Sequence, residues 1–284
     1  MITITTSNCI NCHHCAKACP SRIFAVSSEK SIEIKNADRC IGCGHCVAVC
    51  ASNAIVHSDF PTEKVHAIDY SKLPTPEQTL LLIRKRRSNR VFSSKAIPDE
   101  WLSQILDAAH RAPTASNLQL VEFTLITDPD KLNALTEFTL DAFTSSLKFV
   151  DNAVLRPICK RLFPYLFRYL PVIKKMKQVY LEQGKDIGIL RGATAVLFIH
   201  TPTSARWGCE DSNLAYQNAS LMAESLGVAQ FYTGFVLRAA KLRRKKLEKT
   251  LGINGTIHAG MALGMPMFEY PNYIDRKAIK VKKM

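Results

Sequence analysis

Eight of the ten cysteines stand in two matching clusters: Cys9, Cys12, Cys15 and Cys19, then Cys40, Cys43, Cys46 and Cys50. Both runs read C-x2-C-x2-C-x3-C, and the second repeats the first at an offset of 31 residues. Clustered thiols mean a disulfide framework in a secreted protein, or metal ligands in a reducing compartment. The N-terminus, MITITTSN, has neither a basic n-region nor an apolar signal core, so the expectation is a cytoplasmic, metal-binding protein. Zinc also takes four thiolates, usually two from each of two separated knuckles. Two unbroken four-cysteine runs suit iron–sulfur cubanes better, because three thiolates at intervals of three wrap one cubane face and leave one iron to be held from elsewhere. His13, His14 and His45 lie among the ligands, but eight cysteines already complete two sites, so they are read as loop residues. Cys159 and Cys209 are single and are read as structural.

The doubled run, with Pro20 after its first copy and Ala51 after its second, resembles that of bacterial ferredoxins. There the fourth cysteine of each run serves the other cluster. The resemblance implies two [4Fe-4S] clusters, one on Cys9, Cys12, Cys15 and Cys50, the other on Cys40, Cys43, Cys46 and Cys19. Strand-like runs flank the loops: ITIT at 2–5, IFAV at 23–26, SIEI at 31–34 and AIV at 54–56. A ferredoxin-like domain over 1–60 has little apolar core of its own, so the clusters are expected to help hold it together.

Residues 61–76, with three prolines and little periodicity, read as a linker, and 77–284 as a second domain. A helix is expected in EQTLLLIRKRR, ending in a basic cluster. In IPDEWLSQILDAAHRAP, Pro98, Asp99 and Glu100 form a start signal for an amphipathic helix carrying Trp101, Leu102, Ile105, Leu106 and Ala109. A loop (TASNLQ) and an alternating strand (VEFTLIT) follow. Further on come a strand at 193–199, a long helix near 210–226, a basic helix near 238–250 and the apolar run TIHAGMALGMP. Helices and strands mix without a strict βαβ rhythm, which predicts an α+β fold.

RRSNRVF (86–92), AAHRAPTASNLQ (108–119), SLGVAQFYTGF (225–235) and ALGMP (262–266), in this order, resemble segments of the FMN-dependent nitroreductase family. With the cysteine runs, the whole chain resembles nitroreductases that carry an N-terminal 2[4Fe-4S] ferredoxin domain. The likeness implies that Arg86, Arg87, Ser88 and Arg90 meet the FMN phosphate and ribityl chain, which suits guanidinium forks and a hydroxyl. Arg276 in the basic tail matches a further phosphate contact. Pro113, Thr114, Ala115, Ser116 and Asn117 match the loop lining the flavin ring, with the Asn amide placed to hydrogen-bond its pyrimidine edge. Thr233 and Gly234 match the segment whose main-chain N–H groups face the flavin. The helix at 210–226, with Leu214, Leu221 and Met222, resembles the family's central dimer helix, and a homodimer is implied; the same stripe equally suits a plain core.

The net charge is +14, of which residues 1–60 carry +1 (five Lys/Arg against four Asp/Glu) and the rest +13. Such a surface attracts anionic cofactors and acidic partners. No run reaches the ~18 apolar residues of a membrane span, and no helix-turn-helix or zinc-finger pattern favours nucleic acid. Residues 153–181 are basic and aromatic; their prolines argue against one long helix, and covering the FMN site, plain packing and membrane contact all remain open. The run 238–249 reads as a solvated face or a patch for an acidic electron donor. The expected enzyme is an FMN-dependent oxidoreductase of nitro compounds, quinones or similar small-molecule electron acceptors, supplied through the clusters by ferredoxin, another acidic donor or NAD(P)H. The cofactor supplies the reactivity, so no catalytic side chain is named. Alternatives are a non-catalytic electron carrier, or a dehalogenase or flavin-processing enzyme on the same scaffold.

Overall fold

The computed structural model describes residues 1–150, 156–162, 164–243 and 245–284, without the side chains of 148–150, 159, 164–166 and 168. They form two units, Met1–Pro74 with Ala115–Leu118, and Thr75–Thr114 with Gln119–Met284. Residues 61–74, expected as linker, therefore group with the first unit. The second begins at Thr75.

In chain order the first unit holds β1 (Ile2–Ile4), α1 (His14–Ala18), β2 (Phe24–Val26), β3 (Ile32–Ile34), α2 (His45–Ala48) and β4 (Ile55–His57). β1 pairs antiparallel with β4, and β2 with β3. The strand before the first cysteine run thus joins the strand after the second. The sequence repeat is also a repeat of backbone: positive φ at Asn11, His13 and Arg22 recurs 31 residues on at Gly42, Gly44 and Asn53. Glycine and asparagine take that region at little cost. That His13 and Arg22 occupy it too shows that the loop path, not local propensity, sets the conformation. The core is Ile2, Ile23, Phe24 and Ile55 packed around Cys15 and Cys46, the third cysteine of each run.

The second unit opens with α3 (Pro76–Lys85), whose N-terminus is a reciprocal cap: the Gln78 N–H donates to Thr75 Oγ1, and the Thr75 N–H to Gln78 Oε1. α4 (Asp99–His110) follows, burying Leu102, Ile105 and Ala109 as its periodicity predicts. Then come β5 (Glu122–Ile126), α5 (Pro129–Val150), α6 (Arg156–Leu162), α7 (Pro164–Gln183), β6 (Ala195–Thr201), α8 (Gly208–Ser225), β7 (Ala229–Tyr232), α9 (Gly234–Leu242), α10 (Lys246–Thr250) and β8 (Thr256–Gly264). The strands form one antiparallel sheet in the order β5-β6-β8-β7.

Every residue of the inner strand β6 is buried, because both faces of the sheet are covered. Ala195, Leu197 and Ile199 pack under α4 and α8; Val196 and Phe198 pack on the other face with Leu135 and Leu140 of α5 and Val236 and Leu237 of α9. α8 lies on the sheet through Ala215, Ala219 and Ala223, while Leu214 stays 47% exposed. Of the stripe expected from 214, 221 and 222, Met222 packs against the core, Leu221 is half-buried and Leu214 faces out. The basic helix expected over 238–250 is two helices, broken near Lys245, whose φ is +65°. In the region 153–181, residues 153–155 and 163 lie outside the described residues. α7 nevertheless runs through Pro171, contrary to the expectation that the prolines prevent a long helix. Among the described residues, no helix is long and apolar enough to cross a membrane.

Candidate functional site

The first unit brings the cysteines into two groups. Cys19, Cys40, Cys43 and Cys46 line one small cavity together with Ile23, Gly44 and His57. Cys15 lies within electrostatic reach of Cys12 and Cys50. Each group thus mixes the two runs, as the strand pairing does. Burial pushes the Cys15 thiol up and the Cys46 thiol to about 11, so bound metal would have to displace their protons. Cys50 differs: burial raises it, but hydrogen bonds from Ser52 and the Ala54 N–H outweigh that and lower it. Among the described residues, no three His, Cys, Asp or Glu side chains gather as one metal ion requires. A cubane, by contrast, spreads its thiolates over the corners of a larger body.

One residue here escaped the sequence reading. His57 is buried, its Nε2 stands 3.5 Å from Cys40 Sγ, and its Nδ1 accepts the Asp59 N–H at 3.1 Å. That bond to Nδ1 leaves the ring proton of the neutral form on Nε2, directed at the sulfur. A histidine 17 residues from Cys40 in sequence carries no spacing signal.

In the second unit a cavity of about 620 Å³ opens between β7, α5, α7 and α9. That volume falls in the range of small-ligand sites. Arg90, Thr233 and Gly234 line it. Gly234 is the first residue of α9, so the N–H groups of the first turn have no partner within the helix and present positive dipole to the cavity. Thr233 is buried and its Oγ1 has no hydrogen-bond partner among the described residues. The bare Cα of Gly260 lies beside that oxygen: a Cβ there would come within 2.3 Å of it. Phe143, Leu147, Phe231 and Phe235 supply an apolar wall. A flat, anionic group fits this donor and wall set.

The remaining expected residues are distributed as follows. Arg90 donates to the Ser88 carbonyl at 3.2 Å and lies 5.6 Å over the Phe231 ring. Arg86 and Arg90 both act electrostatically on Tyr216, whose hydroxyl is pushed well up, chiefly by burial. The backbone of this arginine segment is pinned from below. Gln230, fully buried, donates to the Arg87 carbonyl and to Ser220 Oγ, and accepts from Tyr216 Oη at 2.8 Å. The Arg87 side chain itself lies 5.1 Å over Tyr270 and lines a different pocket, with Glu224. Arg276 is exposed in the C-terminal tail. Pro113 and Thr114 follow α4, and the Thr114 hydroxyl accepts the Gln119 N–H. Ser116 and Asn117 adopt positive φ, and Ala115–Leu118 belong to the first unit. There the Asn117 amide donates to the carbonyls of Ile41 and Gly42, at 3.2 and 2.9 Å.

Residues 83–265 match the model of the nitroreductase family, and residues 1–51 that of a 4Fe-4S dicluster domain. An Archaeoglobus fulgidus protein provisionally named NADH dehydrogenase/NAD(P)H nitroreductase is 27% identical over 69% of this chain and 90% of its own. An NADPH-flavin oxidoreductase of Vibrio harveyi is 26% identical over 66% of this chain and 65% of its own. The fold is also that of a nitroreductase with bound FMN from Bacteroides fragilis, at a TM-score of 0.53 and 21% identity over 72% of this chain and 99% of that one. The doubled cysteine runs and the sheet domain with its cationic cavity thus each fall within a matched region: this chain belongs to the nitroreductase family of flavin-dependent oxidoreductases, with a 4Fe-4S ferredoxin-like domain in its N-terminal part.

Proposed function

We propose that the chain is an FMN-dependent reductase of nitro compounds, quinones or similar small acceptors, with electrons delivered through two [4Fe-4S] clusters in the same chain. The observation that carries this reading is the fusion itself, a doubled four-cysteine run joined to a nitroreductase-family domain. When bound, FMN takes electrons singly and gives them in pairs, so it links one-electron clusters to two-electron acceptors. Cys9, Cys12, Cys15 and Cys50 hold one cluster; Cys40, Cys43, Cys46 and Cys19 hold the other. Arg86, Ser88 and Arg90 bind the phosphate end, and the main chain of Thr233 and Gly234 lies against the ring, where the absence of a Gly234 side chain permits close approach. Pro113 and Thr114, which follow α4 in the same unit, border it. α8 joins two copies of the chain, which its exposed Leu214 and the exposed Trp207 before it support.

The names of two relatives, both NAD(P)H enzymes, favour a second reading in which NAD(P)H reduces the flavin directly. Composition and turnover test the function together. Anaerobically purified protein should contain about eight iron, eight acid-labile sulfide and one FMN per chain, and should reduce nitroarenes or quinones catalytically. Stoichiometric zinc would remove the clusters. Full cofactor content with no turnover on any acceptor would leave an electron carrier.

A further inference from the structure

Two arginines in the apolar cavity are left over by the flavin assignment. Arg191 and Arg238 line it alongside Arg90, and none of the described residues that line it is acidic. Neither side chain has a hydrogen-bond or ion-pair partner among the described residues. Two other cations, on α7 and at the end of α9, are engaged instead: Lys177 pairs with Asp141 at 3.0 Å, and Arg243 donates to the Asp141 carbonyl and Ser145 Oγ. Arg238 stands one helical turn after Gly234 on α9, so both face the same space.

The loop that carries Arg191 is built rather than loose. The Asp186 carboxylate accepts the N–H groups of Gly188, Ile189, Leu190 and Arg191, and the Thr136 hydroxyl as well. That network bends residues 186–191 into a fixed turn and leaves Arg191 at φ +59°. Gly188 is bare where α7 arrives: a Cβ there would lie 1.8 Å from the Met176 methyl. α7 is therefore seated directly on the turn, and brings Tyr169 and Ile173 to the cavity.

Resting on the flavin reading above, we propose that this cavity selects an organic anion: a flat aromatic or conjugated acceptor whose carboxylate or comparable acidic group is held by Arg191 and Arg238. The aromatic and aliphatic wall takes the body of the molecule, and the two guanidinium groups take its charge. Both arginines are exposed at the edge of the cavity, so an anionic acceptor gains two charge-assisted partners that its neutral analogue lacks.

Calorimetric titration of the holoprotein with 4-nitrobenzoate and with 4-nitrobenzyl alcohol tests this without turnover. The anion should bind at least tenfold more tightly. In an Arg191→Gln, Arg238→Gln double variant that preference should fall at least tenfold, with FMN content and binding of the alcohol unchanged. Equal binding of the two compounds by the native protein, or a preference that survives in the variant, would overturn the proposal. So would loss of FMN from the variant, which would assign the arginines to the cofactor. Anion-selective binding without reduction of 4-nitrobenzoate or any other acceptor would instead defeat the reductase reading and leave the anion site standing.

Discussion

At the scale of single residues, the clustering of the cysteines was legible and the histidine beside them was not. Cysteines at intervals of three announce themselves by spacing. His57 does not, because its partner Cys40 is reached through the turn of the fold, at the point where β4 ends. A donor to a ligating sulfur stabilises the more negative, reduced cluster and raises its potential. On the proposed ligand sets, His57→Phe should therefore lower the potential of the cluster assigned to Cys40, Cys43, Cys46 and Cys19 and leave the other unmoved. A differential of about 1.4 kcal/mol corresponds to about 59 mV for one electron, so a fall of tens of millivolts is expected in an EPR-monitored redox titration. An unchanged potential would show that the contact to sulfur carries no energy. The same limit on legibility applies to Gln230. It pins the arginine segment from a buried strand, and nothing in AQFY distinguishes it from any other strand position.

Elements were read well where periodicity and start signals agreed, as in α4, and poorly where tertiary contacts overrode them. The small residues that seat α8 on the sheet, Ala215, Ala219 and Ala223, are quieter in sequence than Leu214, which faces out. The share of the cavity wall from α5 and the Asp186 turn carried no signal in the sequence, whereas α7, which brings Tyr169 and Ile173 to it, lies in the region 153–181 for which covering a site was one open reading. The sheet also carries a pair of titratable groups. His200 in β6 is buried, with Nε2 2.9 Å from Thr124 Oγ1 and Nδ1 3.5 Å from Glu122 Oε2, too poorly aligned to hydrogen-bond. His258 in β8 sits 3.0 Å from Thr201 Oγ1, and its other charged neighbours are Glu210 of α8, Lys241 of α9 and Glu248 of α10. Burial lowers both histidines below their ordinary value of 6.5, against the pull of the glutamates. The unfolded chain then binds more protons than the folded one as pH drops through about 6.5, so stability must fall there. The ceiling is about 1.36 kcal/mol per pH unit for each histidine. Urea midpoints of the reductase-domain transition between pH 7.5 and 5.5 should decline, and a His200→Asn, His258→Asn double variant should decline less. An identical slope in the variant would place the acid sensitivity elsewhere.

For the whole molecule the question is where electrons enter. Oxidised thiolate-bound cubanes each add about two negative charges, which would turn the +1 of residues 1–60 into about −3 while residues 61–284 carry +13. Because both domains belong to one chain, neither is lost by diffusion, and on the proposed route transfer between them would be intramolecular. An acidic external donor would be drawn to the basic surface, including the exposed Lys241, Lys245, Lys246 and Lys249 near α9 and α10. These charges are exposed, so their attraction is screened by salt within a Debye length of about 8–10 Å. The expected route is donor to clusters to FMN to acceptor. Stopped-flow reduction of the flavin should be fast with reduced ferredoxin and should slow several-fold between low and moderate salt. A Cys12→Ser, Cys43→Ser double variant, crippled in both clusters, should lose the ferredoxin-driven phase. NAD(P)H should reduce the flavin slowly in both proteins, by a path that ignores the clusters. Equal and rapid reduction by NAD(P)H in native protein and variant would make the clusters bystanders to turnover and hand the enzyme to the direct-donor reading that its relatives' names favour.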